Sequence, residues 1–255
     1  MGGADSAPHH THALTSPLSL WLVDLAAGAG LFEEIAREHG LIPAVGQAAA
    51  PITVRDTAHA ALRIVLAGYA GLKAARQPFA ISPGGKPSLA SVTSPPIEFS
   101  LAHCDTTAII AISRDGPVGV DLEAPRSVRI ADHRRATLIA AATSLRPETP
   151  LPEGPGEARF LQAWTRLEAL AKATGEGIGT LLERLRRDEA PIAQTTISNR
   201  PVHIHDVTLA SASPFYAAVA GTAPILASPT PLESLSLPLD RAWLKQWIVG
   251  ALPDA

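Results

Sequence analysis

A chain of 255 residues with 46% hydrophobic and 18% charged residues can bury a sizeable core, as one large domain or two small ones. Its formal charge of −3 supplies no overall field to draw nucleic acid or an anionic membrane. Cys104 is the only cysteine, which excludes an internal disulfide and points to a reducing compartment.

Residues 1–16 carry Gly, Ser, Pro and the histidines His9, His10 and His12 without periodicity, and a disordered tail is expected there. Trp21 to Leu25 reads as a strand. Leu31 to Glu38 reads as a helix stopped at Gly40. Asp56 is the expected N-cap of a long helix reaching about Ala75, with Ala58, Ala61, Leu62, Val65, Leu66, Tyr69 and Leu72 on its apolar face. A Pro/Gly loop, Ser82 to Pro87, precedes two strands at Glu98–His103 and Thr107–Ser113. Asp115-Gly116-Pro117 turns the chain into a third, Gly119 to Glu123.

Arg126 to Ala142 reads as helix, Arg146 to Glu157 as loop and Glu157 to Thr174 as a strong helix ended by Gly175 and Gly177. Leu181 to Leu185 is too short to assign. Strands follow at Thr195–Ile197, Val202–Leu209 and Phe215–Ala220, and a last helix runs from Asp240 to Ala251. The division expected is a tail (1–16), an α+β half (17–117) and a second α+β half (118–255), each running helix first and then strands. The start of the chain shows no positively charged leader, and the apolar stretch Leu18–Leu31 is interrupted by Asp24 and too short for a membrane span. A cytoplasmic protein is therefore expected.

Two segments carry chemistry. In Gly119-Val-Asp-Leu-Glu123, strand alternation points Asp121 and Glu123 one way and Val120 and Leu122 the other. An isolated Asp-x-Glu is ordinarily a solvated edge, but flanking apolar residues imply burial, where two carboxylates are costly without a cation. In Trp164-Thr-Arg-Leu-Glu168-Ala-Leu-Ala-Lys172, the spacing of four aligns Trp164, Glu168 and Lys172 on one helical stripe. Three carboxylates and a lysine suit a hard divalent cation holding a phosphate, Mg²⁺ or Mn²⁺. His103 stands at a strand end as a potential phosphate donor. Gly84-Gly85-Lys86-Pro87 reads as a hairpin loop, and His203-Ile-His205 lacks a third ligand at zinc spacing.

In their order, Phe99-Ser-Leu-Ala-His103, Gly119-Val-Asp121-Leu-Glu123 and Trp164-x-x-x-Glu168-Ala-x-x-Lys172-Ala-x-Gly-x-Gly-Ile resemble the 4'-phosphopantetheinyl transferases of the surfactin-synthetase-activating (Sfp-like) type. Gly85-Lys86-Pro87 and Pro214-Phe-Tyr-Ala-Ala-Val-Ala extend the similarity to roughly residues 50–222. The resemblance implies an α+β pseudodimer with the active site in the cleft between its halves, and a monomer. It implies transfer of the phosphopantetheine arm of coenzyme A to a serine of an acyl or peptidyl carrier protein of a fatty-acid, polyketide or non-ribosomal peptide synthase. By the same resemblance Asp121, Glu123 and Glu168 bind Mg²⁺, Glu168 is the base, and Lys172 neutralises phosphate charge. His103 bonds coenzyme A phosphates, with Lys86 and Pro87 beside the nucleotide.

The chain departs from that pattern at Leu167 (commonly lysine), at Ala102 (commonly serine) and in Ala44–Val54, which holds no Lys or Arg and leaves only Arg55. Arg134-Arg135-Ala-Thr-Leu replaces an Arg-Phe-Phe-like stretch. Arginines 126, 129, 134 and 135 suit either an acidic carrier helix or a plain solvated helix face. Two other readings remain: a non-catalytic descendant that binds coenzyme A or a carrier, and a Mg²⁺-dependent hydrolase of a nucleotide pyrophosphate.

Overall fold

The computed structural model describes residues 14–43, 52–146, 148–153, 156–187, 194–209, 214–227, 232 and 234–250. The N-terminal histidines and most of the lysine-free stretch before Arg55 lie outside these residues. In chain order the first elements are β1 (Leu18–Asp24), α1 (Leu31–Glu38), α2 (Val54–Ala70), α3 (Leu72–Arg76), β2 (Ala80–Ile81) and β3 (Pro87–Ser88). Then come β4 (Glu98–Cys104), β5 (Thr107–Ser113), β6 (Val118–Glu123), α4 (Asp132–Leu145), α5 (Gly156–Thr174) and α6 (Ile178–Arg186). The last are β7 (Thr196–Ile197), β8 (Arg200–Pro201), β9 (His203–Asp206), β10 (Tyr216–Gly221), β11 (Leu235–Ser236) and α7 (Arg241–Ile248).

Two sheets organise the chain. The first has the order β11-β1-β5-β4 and the second β6-β10-β9. Pairings are antiparallel except β1 with β11, which is parallel. Side-chain alternation gives each sheet two apolar faces. Trp21, Val23, Ile110 and Ile112 meet Ala61, Val65 and other residues of α2 in one core. Ala218, Ala220 and Ile204 meet Leu167, Leu170 and Ala171 of α5 in a second. The remaining faces share a third: Leu20 and Ile109 from the first sheet, Val120, Leu122 and Val219 from the second. The sheets also touch directly, where the Val120 N–H donates to Ser100 Oγ at 3.1 Å.

Several expectations need correction. Asp56 is not the cap of α2. Thr53 is, with its hydroxyl accepting from the Asp56 N–H at 3.2 Å while the Asp56 carboxylate accepts from the Thr53 N–H at 2.9 Å. This is a reciprocal capping box, in which Thr-x-x-Asp makes the earlier residue the cap. The long helix is cut at Gly71, whose φ of 81° no helix interior adopts, so α3 is a separate turn. The fourth helix begins at Asp132, not Arg126, because Arg126 to Ala131 makes no helical turn and Ala131 is extended. The last helix is Arg241–Ile248, capped by Asp240.

The division at 118 also changes at the far end. Leu237, Leu244, Trp247 and Ile248, placed by the sequence with the second half, belong to the first core. Trp247 stands 5.1 Å from Trp21 ring to ring and donates its indole N–H to the Ile64 and Val65 carbonyls at 3.2 Å. The chain thus returns across the molecule to add β11 and α7 to a first unit of β1, β4 and β5 with α1, α2 and α3, while β6, β9 and β10 with α4, α5 and α6 make the second.

Gly119 of β6 lets α5 sit close. A Cβ there would come within 2.1 Å of the Ala169 carbonyl oxygen and 2.4 Å of the Ala173 nitrogen, both helix backbone. Gly119→Ala is therefore expected to push α5 away and cost about 1–3 kcal/mol, read as a lowered midpoint in urea denaturation. An unchanged midpoint would mean that helix and strand are not held as tightly as this contact requires.

Candidate active site between the two units

The stripe predicted on α5 exists. On a helix whose other faces are mostly buried, Trp164, Glu168 and Lys172 are half-buried and share one side. Trp164 stacks on Phe160 at 6.2 Å and packs against the second core, while Glu168 and Lys172 open into a cavity of about 640 Å³. Its opposite wall comes from the first unit: Arg55 and His59 of α2, His103 of β4, and the β2–β3 turn with Lys86 and Pro87.

Next to Lys172, and outside the cavity's lining, β6 delivers the carboxylates as its alternation requires. Val120 and Leu122 enter the shared core, and Asp121 turns to α5. Lys172 Nζ bonds Asp121 Oδ1 at 2.6 Å and the Val120 carbonyl at 3.1 Å. Asp121 Oδ2 is buried and has no hydrogen-bond partner. Burial pushes the Asp121 carboxyl up, opposed by Lys172. Glu168 is also raised, by burial first and then by Asp121, with Glu123 adding to it. These carboxylates therefore feel one another. Glu123, however, is held by a two-pronged pair with Arg126 at 3.1 Å.

Among the described residues, no three His, Cys, Asp or Glu side chains stand together closely enough to enclose one ion. The orphaned, buried Asp121 Oδ2 and the all-oxygen donor set nonetheless fit a hard cation, since a buried unpaired carboxylate oxygen is otherwise unfavourable. The present pairings with Lys172 and Arg126 neutralise two of the three carboxylates.

The cavity's other end is crowded with positive and ionisable groups. Desolvation lowers the pKa of His59, with Arg55 and His103 adding to the effect. His103 is likewise lowered by desolvation, then by Arg55 and Lys172. His59 was not singled out from sequence. Its signal was its spacing of four from Arg55 on the same helical face, which is common enough to pass unremarked. The sign for stability follows from the direction of the shift. Unfolded histidines take up protons near their usual value of about 6.5 and the folded rings only below it, so stability falls as pH drops through that window. Melting temperature between about pH 7 and 5 should fall more in the unsubstituted protein than in His59→Gln. Parallel curves would exclude this account.

Lys86 lines the cavity, but its ammonium points into the backbone, bonding the Val118 carbonyl at 3.1 Å and the Ala173 carbonyl at 3.0 Å. Pro87 lines the same wall as the first residue of β3. The sequence departures have visible places. Leu167 is fully buried in the second core, and Ala102 lies in the core between the sheets. Arg135 is spent on Glu157 at 3.3 Å, the Val128 carbonyl at 2.7 Å and the Phe160 ring. Arg129 and Arg134 are exposed. His205 is buried beside Arg146, and His203 is half-buried on the same strand.

A family model described as the 4'-phosphopantetheinyl transferase superfamily matches residues 117–220, the stretch that holds Asp121, Glu123, Glu168 and Lys172. The protein slr0495 of Synechocystis sp., whose name provisionally marks it as a 4'-phosphopantetheinyl transferase, is 32% identical over 136 residues, 52% of this chain and 54% of its own. HetI of Nostoc sp., named a 4'-phosphopantetheinyl transferase, is 33% identical over 125 residues, 48% of this chain and 52% of its own. The chain thus spans about half the length of the curated relatives it matches. No helix among the described residues is long and apolar enough to cross a membrane.

Proposed function

We propose that this chain is a 4'-phosphopantetheinyl transferase of the Sfp-like type, moving the phosphopantetheine arm of coenzyme A onto a serine of an acyl or peptidyl carrier protein. The observation that carries this reading is the cavity in which Glu168 and Lys172 from the second unit face Arg55, His59 and His103 from the first. The two helix-on-sheet units are read as a pseudodimer whose cleft this cavity is. The matches to the superfamily model, slr0495 and HetI support the reaction class.

The serine hydroxyl attacks the phosphorus bearing the pantetheine arm. The bond from that phosphorus to the bridging oxygen breaks, and adenosine 3',5'-bisphosphate leaves with the electron pair. Such transfer needs positioning and charge neutralisation more than covalent help. Glu168, its basicity raised by burial and by Asp121, accepts the serine proton. Lys172 leaves Asp121 Oδ1 to meet the growing charge on the leaving phosphate. His103, His59 and Arg55 receive phosphate oxygens, and the apolar wall of Leu62, Phe79 and Phe99 excludes water. Asp121, Glu123 and Glu168 would hold Mg²⁺ (or Mn²⁺), which supplies charge neutralisation at the pyrophosphate. A monomer in the cytoplasm suffices, since one chain provides both walls.

Intact-mass spectrometry of apo carrier proteins incubated with this protein, coenzyme A and Mg²⁺ tests the proposal. A gain of one phosphopantetheine on the carrier serine is expected. Coenzyme A bound without any gain on fatty-acid, polyketide or peptidyl carriers would instead indicate a non-catalytic binder. Pyrophosphate cleavage without a carrier would indicate a hydrolase.

A further inference from the structure

We propose that Lys86 is a positioning residue, whose ammonium clamps the turn between β2 and β3 onto the second unit instead of contacting an anion. The inference rests on the transferase reading for its consequence, though not for its geometry. An ammonium has three N–H donors. Two go to the Val118 carbonyl at 3.1 Å and the Ala173 carbonyl at 3.0 Å. On its remaining side the Glu98 carboxylate stands 3.9 Å away, which would repel a phosphate.

The two carbonyls belong to different parts of the site. Val118 begins β6, three residues before Asp121, and Ala173 follows Lys172 near the C-terminal end of α5, where a cation is favoured. The clamped turn is itself stiff: Ser82 N–H bonds the Lys86 carbonyl at 3.0 Å, and Lys86 N–H bonds Ser82 Oγ at 3.0 Å. Its tip touches the segment after α5 so closely that a Cβ on Gly84 would fall 1.7 Å from the Gly175 carbonyl oxygen. Gly84, Gly85, Lys86, Gly175 and Gly177 all line the cavity. Lys86 therefore sets the width of the cavity where first-unit turn meets second-unit helix, and acts on ligand through that wall.

The test compares Lys86→Met, Lys86→Arg and Gly84→Ala in the full chain. Amide hydrogen exchange without ligand is measured first, then the affinities for coenzyme A and 3'-dephospho-coenzyme A. Lys86→Met is expected to speed exchange about tenfold in residues 82–88 and 173–177 while leaving the first core unchanged. Both nucleotides should weaken by the same factor, about tenfold. Lys86→Arg keeps N–H donors for the carbonyls and should stay within about threefold of the unsubstituted protein. Gly84→Ala, which displaces the turn with the ammonium intact, should reproduce the local exchange.

A loss confined to coenzyme A, with the dephospho form untouched, would overturn the proposal by placing the ammonium on the 3'-phosphate. Unchanged exchange at 82–88, or a rise spread evenly over the whole chain, would overturn it as well. Should Lys86→Met not fold, the Arg and Gly84 variants carry the same comparison. If the unsubstituted protein binds neither nucleotide, the transferase reading fails while the exchange arm still decides the clamp.

Discussion

Glu168→Gln is expected to slow carrier loading by about 10²–10⁴-fold, the usual contribution of a positioned general base. The replacement keeps the shape of the side chain and removes its charge. Glu168 sits half-buried on the stripe that faces the cavity, and its proton affinity is raised by burial and by Asp121. Both effects make it a better base than a free carboxylate. Glutamine retains a carbonyl oxygen but cannot take a proton. The measurement is single-turnover loading followed by intact mass, with melting temperature recorded to show that the variant folds. Loading within a few-fold of the unsubstituted rate would remove Glu168 from the role of base. Because the same carboxylate is a proposed metal ligand, loading across a Mg²⁺ titration separates the two effects. A rate restored by excess metal indicates ligation, and a rate low at every concentration indicates proton transfer.

Arg166→Ala is expected to destabilise the protein by about 2–4 kcal/mol, somewhat below the cost of breaking a fully buried ion pair because Asp206 stays 26% exposed. Arg166 is fully buried on α5, two residues from Glu168. Its Nε bonds Asp206 Oδ1 at 2.8 Å and its Nη2 bonds Asp206 Oδ2 at 2.5 Å. It also donates to the Thr149 carbonyl at 3.0 Å and the Ala142 carbonyl at 3.3 Å. One guanidinium thus ties α5 to β9, to the end of α4 and to the loop after it. Gln162, one turn earlier, bonds the same carboxylate at 2.9 Å. Truncation leaves Asp206 with the Gln162 amide but without its cation, and takes the guanidinium donor from two carbonyls. Urea denaturation reads the loss. Arg166→Met with Asp206→Leu should recover most of it, since neither charge then remains. A loss under about 1 kcal/mol in the single variant would show the network to be incidental.

The sequence made some parts of this molecule readable because their physics is local. Strand alternation is set by the backbone within a few residues, so Val120 and Leu122 against Asp121 and Glu123 could be assigned without knowing what either face meets. Helical spacing is equally local, and the Trp164, Glu168, Lys172 stripe appears where the interval of four puts it. The strands at 98–104, 107–113 and 118–123 were read almost to the residue, since turn residues bound each of them. Misreadings arose where local signals competed. Thr53 and Asp56 are both good caps, and their reciprocal bonding decides the start of α2. The start of α4 gave little to read, because only Leu138 and Ala142 of that helix are buried.

Other features depend on residues far apart in the chain, and no local pattern encodes those contacts. Strand β11 is two residues long and exists because the chain returns to pair with β1, more than two hundred residues away. Without that pairing a Pro-rich stretch gives no strand signal. His59 joins the cavity because α2 packs with β4 behind it, so its neighbours Arg55 and His103 come from separate elements. The resemblance puts Lys86 beside the nucleotide without saying what its charge meets, and the fold directs its ammonium to two backbone carbonyls. By itself the sequence determined which residues carry charge and on which face of its element each lies. Only the tertiary structure decided which of those charges are spent on protein partners and which remain directed into the cavity, because a side chain's partner is set by whatever the rest of the chain brings within hydrogen-bond reach.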